Sequence, residues 1–202
     1  MEILTNEERK ALKRQLILDG ARRVFRQKGF IDVTMKDIIE ECQISRGGIY
    51  LYFDSVDSIF IEVLKQRTSS KFDGIRLAVQ ANEPFKHLLD KYFAEHKDRL
   101  LNHVGHSMLR ATYEYYYTHK TEEDHAFQQS QLQSTKQTIY EILKLGVKQG
   151  VIVDDDLDKI AENYMFVIEG LGVLAITGAV TKEQINNQIK IMKSLLPKKV
   201  NK

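Results

Sequence analysis

An all-α fold follows from three features of the amino-acid sequence. Two prolines in 202 residues, with 29% of residues charged, suit long helices better than sheets. Apolar residues recur at helical spacing, as in Ile17, Ala21, Val24 and Phe25, or Phe85, Leu88, Leu89, Tyr92 and Phe93. Helix-start signals recur too. Thr34-x-x-Asp37 and Thr181-x-x-Gln184 have the capping-box pattern, in which a hydroxyl and a side-chain acceptor three residues on satisfy each other's orphan amides. The pattern divides into a small three-helix domain over residues 1–53 and a larger helical domain over 54–202.

The first dozen residues are polar, and the first helix takes its apolar stripe from Ile17 to Phe25, with Arg22, Arg23 and Arg26 opposite. Gly29 is its natural stop, and Lys28 suits the negative end of the helix dipole. Thr34 opens a second helix with Ile38 and Ile39 on its buried side, and Cys42, Gln43 and Ile44 form a tight turn. Ser45 caps a third helix carrying Arg46, Gly47, Gly48, Ile49, Tyr50 and Tyr52. A supporting helix, a short turn and a second helix with an outward N-terminus is the grammar of a helix-turn-helix, here at 34–53.

Asp54 or Ser55 then caps a long helix through Ile59, Phe60, Val63 and Leu64, broken near Ala81 by Asn82-Glu83-Pro84. One stripe runs through Phe85 to Phe93 and a second includes Val104, Met108 and Leu109. Tyr113, Tyr115, Tyr116 and Tyr117 surround Glu114. A helix from about Glu122 turns apolar at Ile139 and stops at Gly150, and Asp154 to Asp156 suit the next helix start. The last two helices, with Ile160, Tyr164, Val167, Ile168 and Leu171 and then Ile185, Ile189, Met192 and Leu195, are apolar over more than one stripe, and Pro197 ends the second.

Composition excludes several classes. A net charge of +2 leaves nucleic-acid binding to a local basic surface. The single cysteine, Cys42, forms no internal disulfide, which suits a reducing cytoplasm, and it reads as a small buried hydrophobe. The N-terminus lacks a secretion signal, and no apolar run reaches the roughly 20 residues of a membrane span, so no membrane partner is expected. His96, His103 and His106 cluster in sequence without a carboxylate or cysteine at zinc spacing, so no metal and no cofactor is expected. No nucleophile elbow, phosphate-cradling glycine loop, Rossmann fingerprint or zincin motif is present, which argues against an enzyme.

At these residues the chain resembles the TetR family of transcriptional regulators. ISRGGIYLYF looks like that family's recognition helix, TMKDIIEECQ like the helix before it, and GARRVF at Gly20 to Phe25, followed by KGF, like its first helix. The resemblance implies a homodimeric, cytoplasmic DNA-binding regulator, a repressor released from a palindromic double-stranded operator by a small-molecule effector. The alternative is an effector-independent DNA-binding protein whose C-terminal domain only dimerises. Three departures stand out: Gln43 where glycine is usual in the turn, Leu51 in place of a histidine, and Val56 in place of a lysine.

The candidate DNA-binding residues are Thr34, Lys36, Ser45, Arg46, Gly47, Gly48, Tyr50, Leu51, Tyr52 and Ser55. Arg46 has the geometry for a bidentate guanine contact, with a phosphate contact as the alternative. The two glycines, unfavourable inside a helix, suggest close approach of DNA. Hydroxyls and amides at the helix starts suit phosphates, and Lys36 is a further phosphate contact. An effector pocket is expected among Tyr92, Met108, Tyr113, Tyr116 and Phe166, where the tyrosines suit an aromatic or cationic ligand. The resemblance implies a four-helix dimer interface from the last two helices, using Ile160, Tyr164, Ile168, Leu171, Ile185, Ile189 and Met192.

Overall fold

The computed structural model describes residues 5–198, so the outermost residues of the expected spans 1–53 and 54–202 lie outside it. Among the described residues the secondary structure is helical throughout: α1 (Asn6–Lys28), α2 (Met35–Cys42), α3 (Arg46–Tyr50), α4 (Val56–Gln80), α5 (Phe85–Asn102), α6 (Leu109–Thr118), α7 (Glu122–Lys148), α8 (Leu157–Ile176) and α9 (Lys182–Ser194). No helix among them is long and apolar enough to cross a membrane.

Two compact units result. The first runs to Arg67 and also takes in Gly105–His119; the second comprises Thr68–Val104 and the chain from Lys120 onward. This division differs from a boundary at residue 53 for a packing reason. Three helices bury little apolar surface by themselves, and the first turns of α4 and the whole of α6 complete their core. Phe25 and Phe60 meet edge to face at 4.8 Å, Phe30 lies 4.8 Å from Phe60 and 5.1 Å from Tyr115, and His119 stacks on Tyr115 at 4.1 Å. Such aromatic pairs add roughly 0.5–1.5 kcal/mol each beyond the area they bury.

Helix α1 starts earlier than its apolar stripe. Thr5 and Glu8 form a full capping box, so the polar opening stretch is helical. The arginines opposite the stripe are used within the unit: Arg22 reaches Gln66, Arg23 pairs with Glu41, and Arg26 donates to the His106 carbonyl.

The second unit is built around Phe85, Tyr92, Phe93, Ile142, Leu143 and Tyr164, contributed by α5, α7 and α8. Gly146 of α7 seats the Phe85 ring: a β-carbon there would lie 2.8 Å from it. The stripe expected to continue through Val104, Met108 and Leu109 is interrupted. Helix α5 stops at Asn102, Val104–His106 form a single 3₁₀ turn, and α6 begins at Leu109. Asp156 stands before α8 at φ 50° without a side-chain capping bond, so only its charge serves the helix start. Helix α9 ends at Ser194, before Pro197.

Candidate nucleic-acid interface

Two local caps fix the helices of the motif. Thr34 Oγ1 accepts the Asp37 amide at 3.3 Å, while Asp37 Oδ2 accepts the Thr34 amide at 2.9 Å and its hydroxyl at 2.8 Å. Lys28 Nζ lies 2.6 Å from the other carboxylate oxygen. These contacts, led by the Lys28 ammonium, pull the Asp37 carboxyl down to about 2. The hydrogen-bonding groups of Thr34 are thus committed to Asp37, and a carboxylate already occupies the start of α2.

Helix α2 ends in a Schellman closure. Gln43 sits at φ 52°, ψ 42°, its N–H bonds the Glu40 carbonyl, and the Ile44 N–H reaches back to Ile39. Gln43, where glycine is usual, is therefore a left-handed residue, which costs a β-carbon-bearing residue roughly 1–2 kcal/mol. Ser45 Oγ then accepts the Gly48 amide at 3.1 Å and starts α3.

The third helix has one inward and one outward side. Ile49 and the following Phe53 are buried, and the Arg14 guanidinium stands 5.0 Å over the Phe53 ring. Ser45, Arg46, Gly47 and Tyr50 face outward, and Leu51 is 82% exposed. The Arg46 guanidinium lies 6.0 Å from the Tyr50 ring centroid, so the two form an i, i+4 pair. Tyr52 is half-buried. Lys36 is exposed, 3.7 Å from Glu40. Ser55 is half-buried, and its hydroxyl accepts the Ser58 amide at 3.0 Å, capping α4.

The glycine pair separates into two cases. A β-carbon at Gly48 would lie 3.0 Å from the capping Ser45 Oγ, so the cap itself favours glycine. At Gly47 a β-carbon would meet nothing within 4 Å. Among the described residues no packing contact requires Gly47.

A further residue shapes the unit, and the sequence gives no local sign of it. Glu114 of α6 accepts the backbone N–H groups of Phe30 at 2.6 Å and Ile31 at 3.1 Å, and Arg110 Nε at 2.6 Å. Burial raises its pKa, but the two amides and the guanidinium outweigh burial and leave it below the usual carboxylate range. Gly29, at φ +84°, passes so close that a β-carbon would lie 2.4 Å from the Glu114 carboxylate. The α1–α2 connection is clamped by α6.

Residues 17–63 match the family model described as bacterial regulatory proteins, tetR family. These residues form a domain of the TetR type. The HTH-type transcriptional regulator YfiR of Bacillus subtilis is 44% identical over 59 residues, 29% of each chain. The HTH-type transcriptional repressor Rv1474c of Mycobacterium tuberculosis is 33% identical over 63 residues, 31% of this chain and 34% of its own. The chain thus spans about a third of these curated relatives. Among solved structures, reduced NemR of E. coli gives a TM-score of 0.78 at 13% identity, covering 94% of this chain and 99% of its own. A Saccharomonospora viridis regulator in complex with choline gives 0.70 at 21%, covering 91% and 95%. These likenesses extend the TetR fold beyond the matched domain.

The expected effector residues are dispersed. Tyr92 is buried in the second unit and lines a cavity there; Phe166 belongs to the same unit but is 60% exposed and outside that lining. Met108, Tyr113 and Tyr116 belong to the first unit, where Tyr113 and Tyr116 meet edge to face at 6.2 Å.

The residues expected at a dimer interface all belong to the second unit. Tyr164, Ile168, Leu171, Ile185 and Met192 are buried in the second unit's own interior, Ile160 and Ile189 pack against that core, and the Tyr164 hydroxyl donates to the Met192 carbonyl. Apolar side chains in solvent on these elements are others: Phe166 and Leu174 on α8, Ile191 on α9 and Leu195 just after it. Gly170, midway between the first two, also has open space beside it.

Cys42 is buried, and its thiol contacts the Leu16 and Ile17 carbonyls. Burial pushes its pKa up, which makes it a poor nucleophile. Among the described residues no group of three or more His, Cys, Asp or Glu is placed to hold a metal ion.

Proposed function

We propose that this chain is a cytoplasmic, homodimeric transcriptional repressor that reads a palindromic operator with α3 and is released by a small-molecule effector. The observation that carries the reading is the outward side of α3: Arg46, Gly47, Tyr50 and Leu51 stand in solvent on a short helix held from behind by Ile49 and Phe53. An exposed leucine at 82% has no use in the core of its own unit. It suits a thymine methyl in the major groove, while Arg46 suits guanine O6 and N7. Gly47 lets the backbone approach the groove. Ser45, Gly48, Tyr50, Tyr52, Ser55 and Lys36 line the flanks toward the phosphates, and Thr34, committed to Asp37, acts by placing α2.

Dimerisation through α8 and α9 is supported by the apolar row Phe166, Gly170 and Leu174, at i, i+4 and i+8, and by Ile191 and Leu195. Two-fold symmetry then requires half-sites roughly 34–36 Å apart. A fold neighbour that holds choline supports a small molecule as the effector class. Release needs only the typical allosteric coupling of about 1–3 kcal/mol between the two sites.

The test is a titration of the full chain onto DNA from beside its own gene, over a salt series with random DNA as control. Palindrome-dependent binding that persists near physiological salt supports the reading; equal, salt-abolished binding to both DNAs defeats it. Arg46→Ala is expected to lose about 1–3 kcal/mol on operator and less on random DNA. Equal loss on both would make Arg46 a phosphate contact.

A further inference from the structure

The first unit has a small recess beside the end of α1, about 180 Å³ in volume and open to solvent. Arg23, Arg26, Gln27 and His106 line it, and all four belong to that unit. The three α1 residues are spaced i, i+3 and i+4, so they share one helix face. His106 closes the recess from the 3₁₀ turn before α6. Sites for drug-sized ligands measure roughly 300–1,000 Å³. The recess therefore suits one compact group and not a whole effector.

Its chemistry is that of a donor cluster. Arginine only donates, the glutamine amide offers two N–H groups, and imidazole donates through at least one ring nitrogen in either protonation state. No carboxylate lines the recess. Arg26 gives Nε to the His106 carbonyl, a neutral acceptor, which ties α1 to that turn and leaves the two Nη groups of the guanidinium outside the bond. Arg23 gives Nε to Glu41, whose carboxylate stands outside the lining and offsets one of the two guanidinium charges. The dipole of α1 opposes an anion at its C-terminus with roughly half an elementary charge. The full charge of Arg26 outweighs it, so the recess is a positive site built from directed donors.

We propose that this recess binds a phosphoryl group, with the Arg26 fork on two of its oxygens and Arg23, Gln27 and His106 donating to the remainder. A phosphoryl group carries about −1.5 to −2 charge at pH 7 and presents three acceptor oxygens. A carboxylate, with one charge and two oxygens, leaves donors of this cluster unused. Guanidinium and phosphate also match in shape, two parallel N–H groups meeting two oxygens. The bound group bridges α1 and the turn before α6, the helix whose Glu114 holds the α1–α2 connection. The proposal goes beyond the operator and effector readings and depends on neither.

The test is calorimetric titration of the full chain with inorganic phosphate, at ionic strength held constant with sodium chloride and with acetate as the singly charged control. Phosphate is expected to saturate one site per chain and acetate not to bind. Gln27→Glu exchanges an exposed side chain for one of nearly the same shape and puts a carboxylate into the recess. It is expected to abolish phosphate binding at an unchanged melting temperature. Arg26→Lys keeps the charge, loses the fork, and is expected to weaken phosphate about tenfold, the equivalent of one hydrogen bond to a charged group. Absence of saturable phosphate binding, equal binding of acetate, or unchanged phosphate affinity in Gln27→Glu overturns the proposal. The source of the phosphoryl group is read from binding to random DNA over a salt series, where backbone contacts act without regard to sequence. If the DNA backbone supplies it, Gln27→Glu lowers the slope of log affinity against log salt by about one. If a free phosphate ester supplies it, that slope is the same in wild type and variant. Either slope upholds the site once phosphate saturates it.

Discussion

Replacing Glu114 tests the clamp that holds the reading domain together. Its carboxylate receives three donors, and their environments set the cost of losing them. The Phe30 amide is beside a buried ring, so its loss leaves an unpaired donor and costs about 1.5–3 kcal/mol, as for a hydrogen bond to a charged group. The Ile31 amide belongs to an exposed residue, where water replaces the carboxylate and the loss is under about 1 kcal/mol. Arg110 is half exposed, so its ion pair adds about 0–1 kcal/mol. Glu114→Ala is therefore expected to cost about 2–4 kcal/mol in urea unfolding followed by far-UV circular dichroism, a large share of a typical domain's stability. Glu114→Gln keeps one carbonyl acceptor and is expected to fall about midway. The pH dependence has a definite sign. Because the folded carboxyl titrates below its ordinary value of 4.5, its contribution is complete above that value and disappears as pH falls through the lower folded value. The gap between wild type and Glu114→Gln should close over that descent and stay constant from pH 5 to 8. A Glu114→Ala protein within about 0.5 kcal/mol of wild type would refute the clamp, and a gap unchanged down to pH 2 would refute the electrostatic account of it.

Further substitutions separate stability from recognition. Gly47→Ala is expected to leave the melting temperature equal or slightly higher, since alanine gains up to about 1 kcal/mol in a helix, yet to weaken operator binding; unchanged DNA affinity would remove Gly47 from the interface. Gln43→Gly should stabilise the protein by about 0.5–1 kcal/mol by relieving the left-handed turn, and a destabilised variant would show that the glutamine side chain has its own role. Asp37→Asn should lose about 1–2 kcal/mol at pH 7, as expected for a disrupted N-cap. That difference should fade between about pH 4 and the folded value of about 2, where the wild-type carboxyl protonates; a difference constant to pH 2 would point to Lys28 pairing with something else. Phe166→Glu should shift the protein to monomer in analytical ultracentrifugation, because each copy loses about 1.5–3 kcal/mol of apolar burial and gains a desolvated charge. A dimer that survives it would move the interface off α8.

What the sequence disclosed depended on how far apart the interacting residues lie. Caps at Thr34, Ser45 and Thr181 were legible because a helix start is decided within four residues, and the same reasoning applies to Thr5 with Glu8, hidden only by the polarity of that stretch. At Gln43 the missing glycine was visible in the sequence, while the left-handed conformation it takes is read from the structure. The Glu114 clamp joins positions 84 apart, and no local pattern marks a carboxylate destined for two backbone amides. Read locally, Glu114 is one charged residue among Tyr113, Tyr115, Tyr116 and Tyr117.

The α8 helix shows the deeper limit. Its sequence carries two apolar rows at the same helical spacing, Ile160, Tyr164, Ile168 and Leu171 on one side and Phe166, Gly170 and Leu174 on another. Periodicity establishes that both rows exist, but it contains no reference direction, so it cannot say which row faces the chain's own core. Size decides that in the folded unit: Tyr164 fits beside Phe93 at 5.6 Å and reaches the Met192 carbonyl, a pairing that needs α5 and α9 already in place. The row with a glycine at its centre stays outside, with Phe166 and Leu174 in solvent on either side of it. The same logic runs through α3, where Ile49 turns inward and leaves Arg46, Gly47 and Leu51 in solvent. In both helices the residues that serve the fold are the ones that find partners within the chain. Those with no use inside it, an open glycine and an exposed leucine or phenylalanine, are where a second molecule is expected, and that is why Gly47 and Phe166 discriminate better than any buried position.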